Sequence, residues 1–150
     1  PGGTCIVPLP KRGSHPQDLL PGNLLVPWLY TDMSDPRWTW GRQFILLRQQ
    51  NGPPQKLGAL LPDGWAAYAL HGQLFVKKFA CVAGANYADF GCNFETFTNQ
   101  DMLEVETLGA ITQLAPGESV EHRETWQLFA DVPAPQNDRD VIRHVCPKLK

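Results

Sequence analysis

No uncharged apolar run in this 150-residue chain approaches the ~20 residues that a membrane helix needs, so no membrane span is expected. Nor does a charged n-region followed by an apolar h-region open the chain. Cytoplasmic localisation is therefore the expectation, although a secreted form trimmed of its signal looks the same. Lys and Arg are scattered in a sequence of net charge −2, without the basic stripe that announces nucleic-acid binding. Neither nucleic acid nor a membrane is an expected partner. The four cysteines, Cys5, Cys81, Cys92 and Cys146, form no CxxC pair and show no metal-ligand spacing. Cys81 could face Cys92 across a hairpin and Cys5 could meet Cys146. Four buried or half-buried thiols in a reducing compartment is the plainer reading. Long helices are excluded as well, because fourteen prolines and thirteen glycines interrupt every segment.

What is present suits one globular domain spanning 1–150. Hydrophobic residues are 43% and charged residues 19% of the chain, which is neither disordered nor fibrous. Short runs rich in Val, Ile, Phe, Tyr, Trp and Thr predict strands at Thr4–Leu9, Leu24–Tyr30, Phe44–Gln49, Lys56–Leu61, Trp65–Leu70, Gln73–Cys81, Cys92–Thr98, Met102–Thr107 and Ser119–Phe129. Asn51-Gly52, Asp63-Gly64 and His71-Gly72 supply turns that tolerate positive φ, and Pro116-Gly117 suits a type II turn. Lys11–Gly22 and Asp32–Gly41 read as loops, the second carrying Trp38 and Trp40. One short helix is expected over Asp138–Val145, capped by Asn137 or Asp138. The pattern predicts an all-β fold, an antiparallel sandwich or barrel.

The residues most able to carry chemistry lie in Met102-Leu-Glu-Val-Glu-Thr-Leu-Gly109. Strand alternation puts Met102, Glu104, Glu106 and Leu108 on one face, with the two carboxylates roughly 7 Å apart. On a solvated face such a pair only keeps a sheet soluble. Beside apolar Met102 and Leu108 it acquires raised, coupled pKa values that suit a general base or acid. In the next strand Val120, His122, Glu124, Trp126 and Leu128 alternate against Glu121, Arg123, Thr125, Gln127 and Phe129. The first set is expected to face the core at its C-terminal end, leaving His122 and Glu124 near a rim as a hydrogen-bonded pair. Glu95 lies between Phe94 and Phe97. Lys77 and Lys78 must point to opposite faces, so one needs a carboxylate partner in the buried direction. Five tryptophans are many for this length, and aromatic rings stack on pyranose faces. Trp28, Trp65 and Trp126 fall in strand-like runs and read as core, leaving Trp38 and Trp40 as the better ligand candidates.

Three segments together resemble the later part of galactose-mutarotase-like (aldose 1-epimerase-like) proteins. They are Phe94-Glu-Thr-Phe-Thr-Asn99, Met102–Gly109, and Leu114–Phe129 with its Pro116-Gly117 turn. The upstream parts, Pro1–Pro10, Leu24–Tyr30 and Asp35–Gly41, look closer to an uncharacterised bacterial branch. The resemblance implies a supersandwich of antiparallel sheets, whole or half of one, and a carbohydrate ligand. By its apolar-Glu-Thr motif it implies Glu106 as the base that takes the anomeric proton. Glu104 and Glu95 would then orient hydroxyls or tune Glu106, and Lys77 or Lys78 would pair with them. Ring opening needs only an acid and a base, so no cofactor or metal is implied. Family members run to about twice this length, and nothing in the chain matches the segment that carries their acid histidine. The rival reading is a non-catalytic, self-associating module that keeps the fold without the chemistry. Exposed sheet edges and strands apolar on both faces, such as Phe44–Leu47 and Leu74–Cys81, also make a homodimer the expected partner state.

Overall fold

The computed structural model describes residues 2–149, so Pro1, which opens the Pro1–Pro10 segment above, lies outside the described residues. Along the chain run β1 (Thr4–Pro8), β2 (Leu25–Pro27), β3 (Trp38–Trp40), β4 (Phe44–Arg48) and β5 (Gln55–Ala59). They are followed by β6 (Trp65–Leu70), β7 (Gln73–Phe79), β8 (Phe94–Thr98), β9 (Leu103–Thr107) and β10 (Glu124–Ala130). Among the described residues these strands form two antiparallel sheets, ordered β10-β7-β6-β1-β4-β3 and β2-β5-β8-β9. The expected all-β sandwich is the fold.

Alternation along the strands builds two cores, one on each face of the large sheet. Cys5, Val7, Ile45, Leu47, Ala66 and Phe79 point toward the small sheet and meet Leu57, Ala59 and Phe94. Their neighbours Ile6, Leu46, Ala67, Leu74 and Val76 point the other way. That second face is covered by the chain's C-terminal turns: one α-helical turn at Asp138–Asp140 (α1), a π-helical stretch at Val141–Val145 and a 3₁₀ turn at Cys146–Lys148. Val141 and Val145 are buried there. Asn137 caps α1, its side chain accepting from the Asp140 amide at 3.2 Å.

His71 and Gly72 take φ of 49° and 76° and close the β6–β7 hairpin, and Gly64 and Gly117 are left-handed as expected. Asn51-Gly52 does not use the left-handed region, so the β4–β5 connection turns without it. Asp32–Gly41 is not an open loop. A buried Asp35–Arg37 ion pair at 2.8 Å pins it, and its last residues form the edge strand β3 against β4. The final strand begins at Glu124 instead of Ser119. Its alternation is also opposite in outcome to the expectation. Trp126 and Leu128 face outward beyond the small sheet, 65% and 75% exposed, while Phe129 packs on the helical side. All four cysteines are free thiols, so neither conceivable disulfide forms.

Candidate functional site

Glu95, Glu104 and Glu106 are brought together on the outer face of the small sheet. The register explains how. Gly58, Glu95 and Glu106 lie directly opposite one another across β5, β8 and β9, and the next row is Lys56, Phe97 and Glu104. Residues two apart on a strand share a face, so both rows point away from the core. Lys56 reaches diagonally across them. Its Nζ lies 2.7 Å from Glu95 Oε2 and 3.3 Å from Glu106 Oε2.

Gly58 shapes the site by what it lacks. A Cβ there would stand 2.5 Å from Cys92 Sγ and 3.2 Å from the Trp28 ring, so the bare backbone is what admits both groups. The Trp28 amide donates to Thr31 Oγ1 at 2.9 Å, and the Thr31 hydroxyl donates to the Lys56 carbonyl, tying this loop to β5. The indole consequently lies beside the Lys56 ammonium, 4.8 Å from ring centroid to Nζ. On the other side Asp89, Phe90 and Gly91 adopt successive left-handed φ of 48°, 63° and 108°. Such strained runs concentrate where structure is over-determined, often at functional sites.

Under this roof Glu95 is only 4% exposed, and its Oε1 has no hydrogen-bond partner among the described residues. Burial pushes the Glu95 pKa up, the bond to Lys56 opposes this, and the nearby Asp89 carboxyl adds to the rise. Burial also raises Glu104, as does the charge of Glu106. Lys56 is pulled down by burial, but its bonds to Glu95 and the charge of Glu106 outweigh this and hold it above its ordinary value. Glu106 reaches solvent, with 42% of its side chain exposed. The face therefore carries one half-exposed carboxylate, two carboxyls whose pKa values are raised, an ammonium and an aromatic ring.

The remaining sequence candidates lie elsewhere. Lys77 does not pair with these glutamates, because it stands on the inter-sheet side of β7. There it contacts Glu124 Oε1 at 2.9 Å and donates to the Val105 carbonyl at 2.9 Å. Lys78 points to the helical side and donates to the Leu149 carbonyl at 3.0 Å. Lys56, not singled out in the sequence, takes the role expected of either. His122 Nε2 lies 2.8 Å from Thr107 Oγ1 and 3.9 Å from Glu124 Oε1, on the opposite face of β9 from Glu106. Trp38 is core, donating from Nε1 to Gln55 Oε1 at 3.2 Å, and Trp40 stacks on it at 5.2 Å while donating to the Met33 carbonyl. Neither tryptophan meets the glutamates, whereas Trp28, read as core, lies against the Lys56 ammonium that binds two of them.

Glu124 organises a second polar cluster at the edge between the sheets. Burial works against its charge, but bonds from Thr107, Lys77 and Trp126 hold its pKa below the ordinary value. Trp126 Nε1 donates to Glu124 Oε2 at 2.7 Å and its ring meets Phe75 edge-on at 5.5 Å, so an exposed indole is held in one orientation.

Fold and site together define a two-sheet antiparallel β-sandwich with an acidic, lysine-bridged outer face. No family model, curated protein or solved structure matches the chain. No helix among the described residues is long and apolar enough to cross a membrane, and no group of three or more His, Cys, Asp or Glu among them could hold a metal ion.

Proposed function

We propose that the chain is a carbohydrate-binding, mutarotase-like module whose ligand lies on the outer face of the small sheet. The observation that carries this reading is the convergence of Glu95, Glu104, Glu106 and Lys56 beside the half-buried Trp28 ring. Carboxylates accept from sugar hydroxyls, the ammonium donates to sugar oxygens, and an indole offers an apolar surface to pyranose C–H groups. In a reaction of the aldose 1-epimerase type, solvent-reached Glu106 takes the anomeric proton. Glu104, biased toward its protonated form, gives one to the ring oxygen. The ring opens, the aldehyde rotates and the ring recloses, with no net change in protonation.

Polarimetry of freshly dissolved glucose and galactose tests the catalytic part. The protein should accelerate mutarotation, and Glu106→Gln should remove most of that acceleration, since general acid–base contributions are about 10²–10⁴-fold. No acceleration by the unmutated protein refutes the epimerase step. No saturable shift of the Trp28 indole resonance with either sugar refutes binding of them.

A second reading, a self-associating module, is favoured by a different surface. Where the large sheet overhangs the small one, Tyr68, Phe75, Leu103, Val105 and Trp126 line a cleft of about 360 Å³, and Leu128 continues the apolar strip. The strip lies between β9 and β10, each a sheet edge with unpaired backbone groups. A two-fold homodimer covers both copies of it at once. Light scattering at micromolar concentration should give twice 16.7 kDa, and Trp126→Glu with Leu128→Glu should restore the monomer. A stable monomer of the unmutated chain overturns this reading.

A further inference from the structure

A groove of about 810 Å³ lies on the far side of the molecule from the glutamates. It runs between the segment leaving β1, the start of β4 and the C-terminal helical turns. Lys11, Arg12, Arg42 and Arg139 line it, with the Trp65 ring beneath them. A neighbouring cleft of about 570 Å³ shares Lys11, Arg12 and Arg42 and adds His15. Both volumes fall in the range of small-molecule sites, roughly 300–1,000 Å³.

The cations here differ from those elsewhere in the chain. Arg37, Lys56, Lys77 and Arg123 are salt-bridged to carboxylates. Arg48 and Lys78 donate to backbone carbonyls, and Lys148 lies over the Phe129 ring. Among the described Lys and Arg side chains that leaves Lys11, Arg12, Arg42, Arg139 and Arg143 without hydrogen bond, ion pair or ring. Four of these five line one groove. Two carboxylates also face it, Asp63 and Asp138. Asp138 spends Oδ2 on the backbone amides of Arg42 and Gln43, at 2.8 and 3.1 Å, which fixes the wall from which the Arg42 side chain projects. A chain of net charge −2 thus gathers its uncommitted positive charge around one apolar-floored groove. Such concentration raises the local potential, and guanidinium groups bind phosphate or carboxylate in paired hydrogen bonds.

We infer that this groove binds a small anionic molecule through a phosphate or carboxylate group held by Arg12 and Arg42, with its body over Trp65. The site is independent of the acidic face.

The test follows the Trp65 indole resonance by ¹H–¹⁵N correlation spectroscopy at fixed ionic strength. Inorganic phosphate is titrated in one arm and glucuronate in the other, with chloride as the control. A saturable shift with phosphate identifies a phosphate-bearing ligand and one with glucuronate a carboxylate-bearing ligand. Either supports the site. Arg12→Ala with Arg42→Ala should weaken the response at least about tenfold, as expected for lost charge-assisted bonds. Arg123→Ala, whose partner is Glu121, should leave it unchanged. The Arg12 and Arg42 side chains hold nothing in the fold, so the double variant should melt as the parent does. The inference is overturned if neither anion saturates, if chloride reproduces the shift, or if the folded double variant binds as tightly as the parent.

Discussion

Replacing Lys56 by Met removes the ammonium paired with Glu95 while keeping most of the apolar stem. Glu95 is 4% exposed and its Oε1 already lacks a donor, so the carboxylate is left buried and uncompensated. Remaining charged costs about 3–5 kcal/mol. Taking up a proton costs 1.36 kcal/mol per pH unit above the ordinary glutamate pKa of about 4.3, or roughly 3.7 kcal/mol at pH 7. The two routes converge on a loss of about 3–4 kcal/mol at pH 7. At pH 5 the protonation route costs only about 1 kcal/mol. The sign is set by linkage. Burial and Asp89 raise the folded-state pKa of Glu95, and without Lys56 nothing opposes them. Between the unfolded and folded pKa values the native state then holds the extra proton. Unfolding free energy therefore falls as pH rises through that window, and the deficit closes as pH falls toward 4. Urea denaturation of parent and variant at pH 5 and pH 7, read as a difference, measures this. Adding Glu95→Gln to Lys56→Met should recover most of the pH 7 loss. Equal deficits at both pH values, or no recovery in the double variant, would refute the account of a buried, lysine-compensated charge.

Gly64→Ala should cost more than Gly117→Ala. Both glycines are left-handed, which costs any other residue about 1–2 kcal/mol, but a Cβ at Gly64 would also stand 2.1 Å from the Phe79 carbonyl oxygen. Thermal melts should separate the two by at least about 1 kcal/mol, the lower end for overpacking; equal losses would refute the steric argument. Burial pushes the thiols of Cys5 and Cys92 up to about 12, with Glu95 and Asp89 adding to the effect at Cys92. An aromatic disulfide reagent at pH 8 should therefore modify half-buried Cys81 and Cys146 first, and Cys5 and Cys92 only on unfolding. A single fast phase for all four would contradict this burial pattern.

Strand positions were the most legible part of the sequence, because glycine and proline bracket each β-rich run. Trp65–Leu70 is found as expected, and seven other predicted strands differ by a few residues at their ends. Trp38-Thr-Trp40 was missed as a strand because three residues between turn formers carry too little pattern to separate an edge strand from a loop. Alternation placed Glu104 and Glu106 on one face, and Glu95 was singled out beside them. It did not give Lys56, which is 39 residues from Glu95 in sequence and meets it only through the β5–β8 register. Nor could it orient β10. Alternation defines two faces without saying which one the small sheet covers, and that sheet stops short of Trp126 and Leu128.

Glu106 and Thr107 are adjacent on β9, so their side chains leave opposite faces of a single strand. One is tethered to Lys56 on the outside. The other is hydrogen-bonded to His122 and Glu124 on the inside, and Glu124 holds the indole of Trp126. Glu106 and Thr107 share one planar peptide, so a ligand that draws on Glu106 also pulls on the backbone that carries Thr107. That displacement reaches an exposed fluorophore through two hydrogen bonds. Trp126 emission is therefore expected to report on events at the face it does not touch.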